Sequence, residues 1–268
     1  MYKSRQRGFT LVEIAIVLVI IGLLLGGILK GQQLISSARV RNMADQNTGI
    51  QAAYFGFIDR YRQIPGDMPP ALACSAITST ITACGASPFG AATVGGNQNG
   101  RIDSWVEAGA IWAHLSAAGF INGTYPGVTG NVAAYEGGVL SGNVPGNAFQ
   151  QPIFLGYTDD YDGGGSTSTV RLAYAYGAGV TASLLRELDV KLDDGAPGTG
   201  VVRSTVSAVK NGETAVGGTN FGAGGTAGRE VLLWNSTFGP ACVTNPDTAT
   251  ATYNVDSDNT RCNAVYLY

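Results

Sequence analysis

The 268-residue chain holds few groups suited to covalent chemistry, and they are scattered. His114 is its single histidine. Its four cysteines form two sequence-local pairs, Cys74/Cys84 and Cys242/Cys262. Oxygen-bearing side chains gather in short loops: Asn97/Asn99, Asp159/Asp160/Asp162, Asp193/Asp194 and Asp256/Asp258. One carboxylate, Glu13, stands inside the apolar run FTLVEIAIVLVIIGLLLGGIL.

These types and spacings exclude more chemistry than they support. No cysteine pair has the C-x-x-C spacing of a metal or redox site, and one histidine cannot complete a zinc site with them. No G-x-S-x-G or H-E-x-x-H occurs, and the Gly-rich stretches lack the Lys-Ser/Thr of a phosphate-binding loop. The chain is therefore expected not to be an enzyme, and His114 to be a surface or packing residue. The cysteines fit two structural disulfides made in an oxidising compartment, Cys74–Cys84 and Cys242–Cys262. Each would be worth about 3 kcal/mol in the loop-entropy picture; the alternative is four buried thiols. Calcium is the one ion the loops suggest. It needs about six to eight oxygens, and no loop here has the full helix–loop–helix calcium pattern. Asp256 and Asp258 lie inside the second cysteine loop, which would hold them rigidly. They are the candidate calcium ligands, and no other cofactor is expected.

Composition sets the frame for these groups. Charged residues are 13% of the chain, hydrophobic residues 45%, and Gly accounts for 39 positions. The apolar fraction suffices for a folded core, and the Gly-rich, charge-poor stretches after residue 70 point to turns and short strands. Net charge is −3. Without Lys3, Arg5 and Arg7, the 16 basic side chains become 13 against 19 acidic ones. An acidic head repels phosphate backbones, so no nucleic acid is expected as a partner.

The N-terminus reads as a membrane segment of unusual design. Residues 1–8, MYKSRQRG, are polar and basic. The apolar run over 9–29 would span about 31 Å as a helix, the thickness of a bilayer core. Basic residues in front of it keep the N-terminus cytoplasmic. A secretory signal has a shorter apolar core with its small-residue cleavage site behind it. Here the small residue, Gly8, comes first, so cleavage would expose Phe9 and leave the helix in the membrane. Glu13 costs about 2.5–3.5 kcal/mol in a bilayer on insertion scales, which calls for a cationic partner. The amine of Phe9 on a neighbouring subunit is of the right kind.

Gly8-Phe9-Thr10-Leu11-Val12-Glu13, with a basic leader before it and an apolar helix after it, resembles the prepilin peptidase site of the type IV pilin and type II secretion pseudopilin superfamily. The resemblance implies cleavage between Gly8 and Phe9, N-methylation of Phe9, and pairing of Glu13 with a neighbour's terminal amine during assembly. It also implies prepilin peptidase, an inner-membrane assembly platform and co-assembling pilins (or copies of this chain) as partners. The chain would sit in the inner membrane first and in a cell-surface filament later, or in the periplasm if it is a pseudopilin. One departure stands out: many pilins carry a kinking proline in or just after the apolar segment. This chain has none before Pro65 and carries Gly22, Gly26, Gly27 and Gly31 instead.

Beyond Lys30 the helix is expected to continue to about Arg62 along a stripe of Met43, Asn47, Ile50, Tyr54, Phe57/Ile58 and Tyr61. Ile64-Pro65-Gly66-Asp67 should end it. Residues 68–100 read as loop. A Ser104-x-x-Glu107 capping box should open a helix over 105–118 that stops at Gly119. Another helix is expected over 181–192, and strands at 153–157, 169–176, 201–209, 230–234 and 264–267. The expected fold is α+β and pilin-like: a long N-terminal transmembrane and amphipathic helix packed on a large antiparallel-sheet head with extra helices. Its parts are a leader (1–8), a transmembrane assembly helix (9–29), its amphipathic continuation (30–62) and the head (63–268). Tyr61–Asp67 and Lys191–Gly200 resemble segments that recur in large-headed pilin-like proteins. Three roles fit: a structural filament subunit, a minor or tip pilin with an adhesive or partner-binding head, and a pseudopilin of type II secretion.

Overall fold

The computed structural model describes residues 11–77, 95–127, 130, 134–135, 138, 140–163, 169–205, 239–246 and 248–268. They fall into two compact units, one up to Arg39 and one from Val40 onward. The first helix, α1 (Leu11–Tyr61), runs without a break through Gly22, Gly26, Gly27 and Gly31. A glycine inside a helix costs about 1 kcal/mol relative to alanine, and the surrounding Leu and Ile residues are good enough helix formers to carry four of them.

From Val40 onward α1 buries one stripe: Val40, Met43, Asn47, Ile50, Ala53, Tyr54 and Phe57. These positions recur every three or four residues, the helical repeat of a single core-facing side. Tyr61, expected on that stripe, is only partly buried. The helix stops where Arg62 turns left-handed at φ 53°, its N–H still reaching the Ile58 carbonyl at 2.8 Å.

A short helix, α2 (Pro70–Ala76), follows with proline in its first turn. It lies in the stretch read from sequence as loop. Pro69-Pro70 acts here as a helix start, because proline's fixed φ suits a first helical position whose N–H has no partner. Helix α3 (Trp105–Ala117) opens with the expected capping box. Ser104 Oγ accepts from the Glu107 N–H at 3.3 Å, and Glu107 Oε2 accepts from the Ser104 N–H at 3.1 Å. Gly119, at φ 78°, closes it, with the Phe120 N–H bonded back to the Leu115 carbonyl at 2.9 Å.

The sheet is antiparallel throughout. Strands β1 (Phe154–Thr158), β2 (Arg171–Ala175), β3 (Val202–Ser204) and β6 (Ala264–Leu267) lie in the order β1-β2-β6-β3. A second, two-stranded ribbon pairs β4 (Val243–Thr244) with β5 (Thr252–Tyr253). That ribbon had no sequence signal, since two-residue strands show no alternation. Helix α4 (Ala182–Leu192) comes between β2 and β3 in chain order, with Thr181 capping its N-terminus through the Leu184 N–H. The α+β, pilin-like arrangement expected from sequence is the one observed. Strand β3 ends at Ser204, earlier than expected. Residues 206–209 and the expected strand at 230–234 lie outside the described residues.

One core joins these elements. Phe57 and Met43 of α1, Ile111 and Trp112 of α3, and Phe154, Leu155, Tyr174 and Val265 of the sheet are all buried in it. Phe154 meets Trp105 at 5.7 Å and Tyr135 edge-on at 5.5 Å between ring centroids. Fully burying side chains of this size contributes about 1.5–3 kcal/mol each, which is why the head half of α1 cannot be detached from the sheet cheaply.

Candidate assembly segment and head anchors

The first turns of α1 form the candidate assembly segment. Gly8 and Phe9 lie outside the described residues; Glu13 lies in the first turn of α1. Around Glu13 every large apolar side chain is exposed. Leu11, Val12, Ile14, Ile16, Val17, Leu18 and Val19 begin a series that continues to Leu29. This is a helix long and apolar enough to cross a membrane, with none of its most apolar stretch buried in the protein. Leaving even ten such side chains in water would cost upward of about 15 kcal/mol. That exceeds the roughly 5–15 kcal/mol by which a typical domain is stable. The segment needs lipid or other apolar helices around it. Its apolar residues cover the full circumference, so no single face is marked for one neighbour.

The head is fastened at several polar points. Asn47, the polar member of the α1 stripe, is buried and accepts from the Tyr268 hydroxyl through Oδ1. The side chain that looked like a flaw in the stripe therefore ties α1 to the end of β6. Cys242 and Cys262 are joined as expected, their Cα atoms 5.6 Å apart. Cys74 is also disulfide-bonded; its expected partner Cys84 lies outside the described residues. Asn147 Nδ2 donates to the carbonyls of Tyr176 and Ala178, both at 2.9 Å, pinning its loop beside β2.

His114 is a packing residue. It is fully buried on α3, its ring parallel to Phe57 at 6.2 Å, and its Nδ1 accepts from the Gly66 N–H at 3.0 Å. No sequence signal marks this bond, because its two members are 48 residues apart. Burial is the main reason the carboxyl of Glu107 is raised above the ordinary glutamate range, against the N–H groups of Asp103 and Ser104.

The acidic loops serve mainly as acceptors for their own backbone. Asp189, Asp193 and Asp194 are the one group of three potential metal ligands among the described residues, their oxygens within 4.8 Å of one another. Asp193 accepts from the Val201 N–H, and Asp194 from the Ala196 N–H and the Thr199 hydroxyl. Asp189, buried at the end of α4, accepts from the Gly195 N–H at 3.2 Å and the Tyr253 hydroxyl at 2.9 Å. Burial outweighs these donors and pushes its carboxyl up to about 6. The Thr199 hydroxyl holds the exposed Asp194 carboxyl below its usual range. Asp256 and Asp258 are exposed in the loop between Cys242 and Cys262 and are not part of that group.

At the end of α1 an open cleft of about 370 Å³ is lined by Ile58, Arg62, Gln63, Ile64, Asp67, Gln98 and Gly100. Both carboxylate oxygens of Asp67 already accept backbone N–H groups, from Asn99 and Gly100.

Comparison with known proteins meets the chain at its N-terminus alone. The profile of the prokaryotic N-terminal methylation motif matches residues 3–29. No curated protein and no solved structure matches. The matched stretch contains Gly8, Phe9 and Glu13 and runs to the end of the exposed apolar series. The chain thus carries, at the start of a membrane-length helix joined to an α+β head, the hallmark of the type IV pilins and pseudopilins.

Proposed function

We propose that this chain is a structural subunit of a type IV pilus-like filament, cut after Gly8 by prepilin peptidase and assembled through its N-terminal helix. The observation that carries the reading is the methylation motif over residues 3–29, set at the start of a helix whose large apolar side chains from Leu11 to Leu29 are exposed. Cleavage leaves that helix in the inner membrane, with Phe9 as the new terminus and the site of N-methylation. Packing against other copies then replaces lipid as its apolar surroundings. Glu13 sets the register: its carboxylate pairs with the Phe9 amine of a neighbour, because a charge in an apolar medium is tolerable only when paired and hydrogen-bonded. The partners are prepilin peptidase, the membrane assembly platform and further pilins, and the final location is the cell surface.

Shearing filaments from cells tests the role. The chain as the dominant band supports the shaft. Its presence only in trace amounts moves it to the tip, and its absence from filaments with retention in the periplasm makes it a pseudopilin. A Gly8→Glu chain should keep its leader, visible as an unprocessed band, and should not assemble. Calcium at Asp256 and Asp258 is a separate proposal resting on their place inside the disulfide loop. A head whose melting temperature is the same with calcium and with chelator removes it.

A further inference from the structure

His114 is the one histidine of the chain, and filament assembly as described makes no use of it. Its Nδ1 accepts the Gly66 N–H. A ring nitrogen accepts a hydrogen bond only when it carries no proton, so the folded ring is neutral, with its proton on Nε2. Gly66 packs closely on α3. It sits at φ +95°, where a Cβ would lie 2.7 Å from both the Glu107 carbonyl oxygen and Ile111 Cγ1, so no side chain fits there. A second proton on the ring would therefore set one N–H against another in a closed site.

Among the described residues, the charged groups on the elements packed around the ring are exposed or already accept hydrogen bonds. On α1, Phe57 lies against the ring, and Asp59, Arg60 and Arg62 are exposed. In the turn that leaves α1, both oxygens of Asp67 accept from Asn99 and Gly100. On α3, Glu107 Oε2 accepts from Asp103 and Ser104. Beyond α3, Phe120 packs on Phe57.

We propose that His114 is an acid-sensitive latch: neutral, it holds the turn leaving α1 against α3, and protonated, it releases that turn. The Gly66–His114 bond breaks first, so loosening begins in the turn just beyond the C-terminal end of α1. The proposal stands apart from the filament reading, since it concerns the head's own packing. Its sign is distinctive. An ordinary histidine titrates near pH 6.5. A fold that needs the neutral ring loses stability as pH falls through that region, because the unfolded chain then binds the extra proton. Asp189 works in the opposite sense, since its raised carboxyl favours the folded state as pH falls.

The test uses the full chain in detergent with Asp189→Asn present, which removes the aspartate carboxyl raised to about 6, and reads His114 by difference against His114→Asn in the same background. Between pH 7.5 and 5.0 the melting temperature should fall by about 2–4 °C, the shift expected for one lost hydrogen bond in a protein of this size. Asn in place of His114 offers a non-titrating acceptor to Gly66, and His114→Asn should abolish the fall. An equal fall in both chains overturns the latch. Should the variant fail to fold, isotope-labelled histidine in the unmodified chain decides. The neutral Nε2-protonated ring at pH 7.5, with ring protonation and a shift of the Gly66 amide signal moving together in acid, supports it. An Nδ1-protonated ring, or a Gly66 signal that ignores ring protonation, refutes it.

Discussion

Helix α1 is one continuous element with two different halves. Up to Arg39 it is mostly apolar all round and its large side chains are exposed; from Val40 it is polar on one side and buried on the other. Backbone hydrogen bonding is the same in both, so the difference lies wholly in side-chain pattern. A stripe at helical spacing can be satisfied by one sheet within the same chain. An apolar cylinder cannot, and its remaining surface must be covered by lipid or by other chains. The same secondary structure therefore serves folding in one half and, on the function proposed above, assembly in the other.

Substitutions that respect one half and injure the other test this division. The largest expected effect is on the head side. Phe57→Ala removes a fully buried ring and should destabilise the head by about 3–5 kcal/mol, read as a large drop in its melting temperature. Leu24→Ala, on the exposed half, should leave that temperature unchanged. On the membrane side, Ile20→Arg should cost about 2.5–3.5 kcal/mol of insertion, seen as extraction of the chain by alkaline carbonate, with the head still folded. Glu13→Ala should insert at least as well as the unmodified chain and yet be depleted from filaments. Normal incorporation would end the pairing role of Glu13.

Smaller effects sharpen the boundary. Reducing Cys242–Cys262 should cost about 3 kcal/mol and lower head stability without touching membrane insertion. Tyr268→Phe deletes the donor to Asn47 and should cost about 1–2 kcal/mol, measurable by denaturant unfolding. A pH effect at Asp189 completes the series. Its folded carboxyl titrates near 6, above its unfolded range, because burial disfavours the charge. Its contribution to stability is full below about pH 4 and is lost as pH rises through 6. Asp189→Asn should flatten that decline in a pH series of melting curves.

Sequence reading succeeded where the signal was local. The capping box at Ser104 and Glu107, the stop at Gly119 and strand β6 all follow from residues within a few positions of one another. It missed α2, because a proline pair reads equally as a breaker and as a helix start. It missed the β4–β5 ribbon, whose strands are too short to alternate. It found the members of the disulfide Cys242–Cys262 because they lie in one short loop. It found neither the Gly66–His114 bond nor the Asn47–Tyr268 bond, because hydrogen-bond partners 48 and 221 residues apart leave no periodic trace.

By itself the sequence determined the membrane-length apolar segment, the carboxylate Glu13 set within it and the methylation motif around Gly8 and Phe9. Each depends only on residue type and order along one helix. Tertiary structure decided which polar groups hold the head to that helix, and that its histidine is a buried acceptor. Those roles arise only when distant parts of the chain are brought within about 3 Å and shielded from water, where an unmade hydrogen bond is costly.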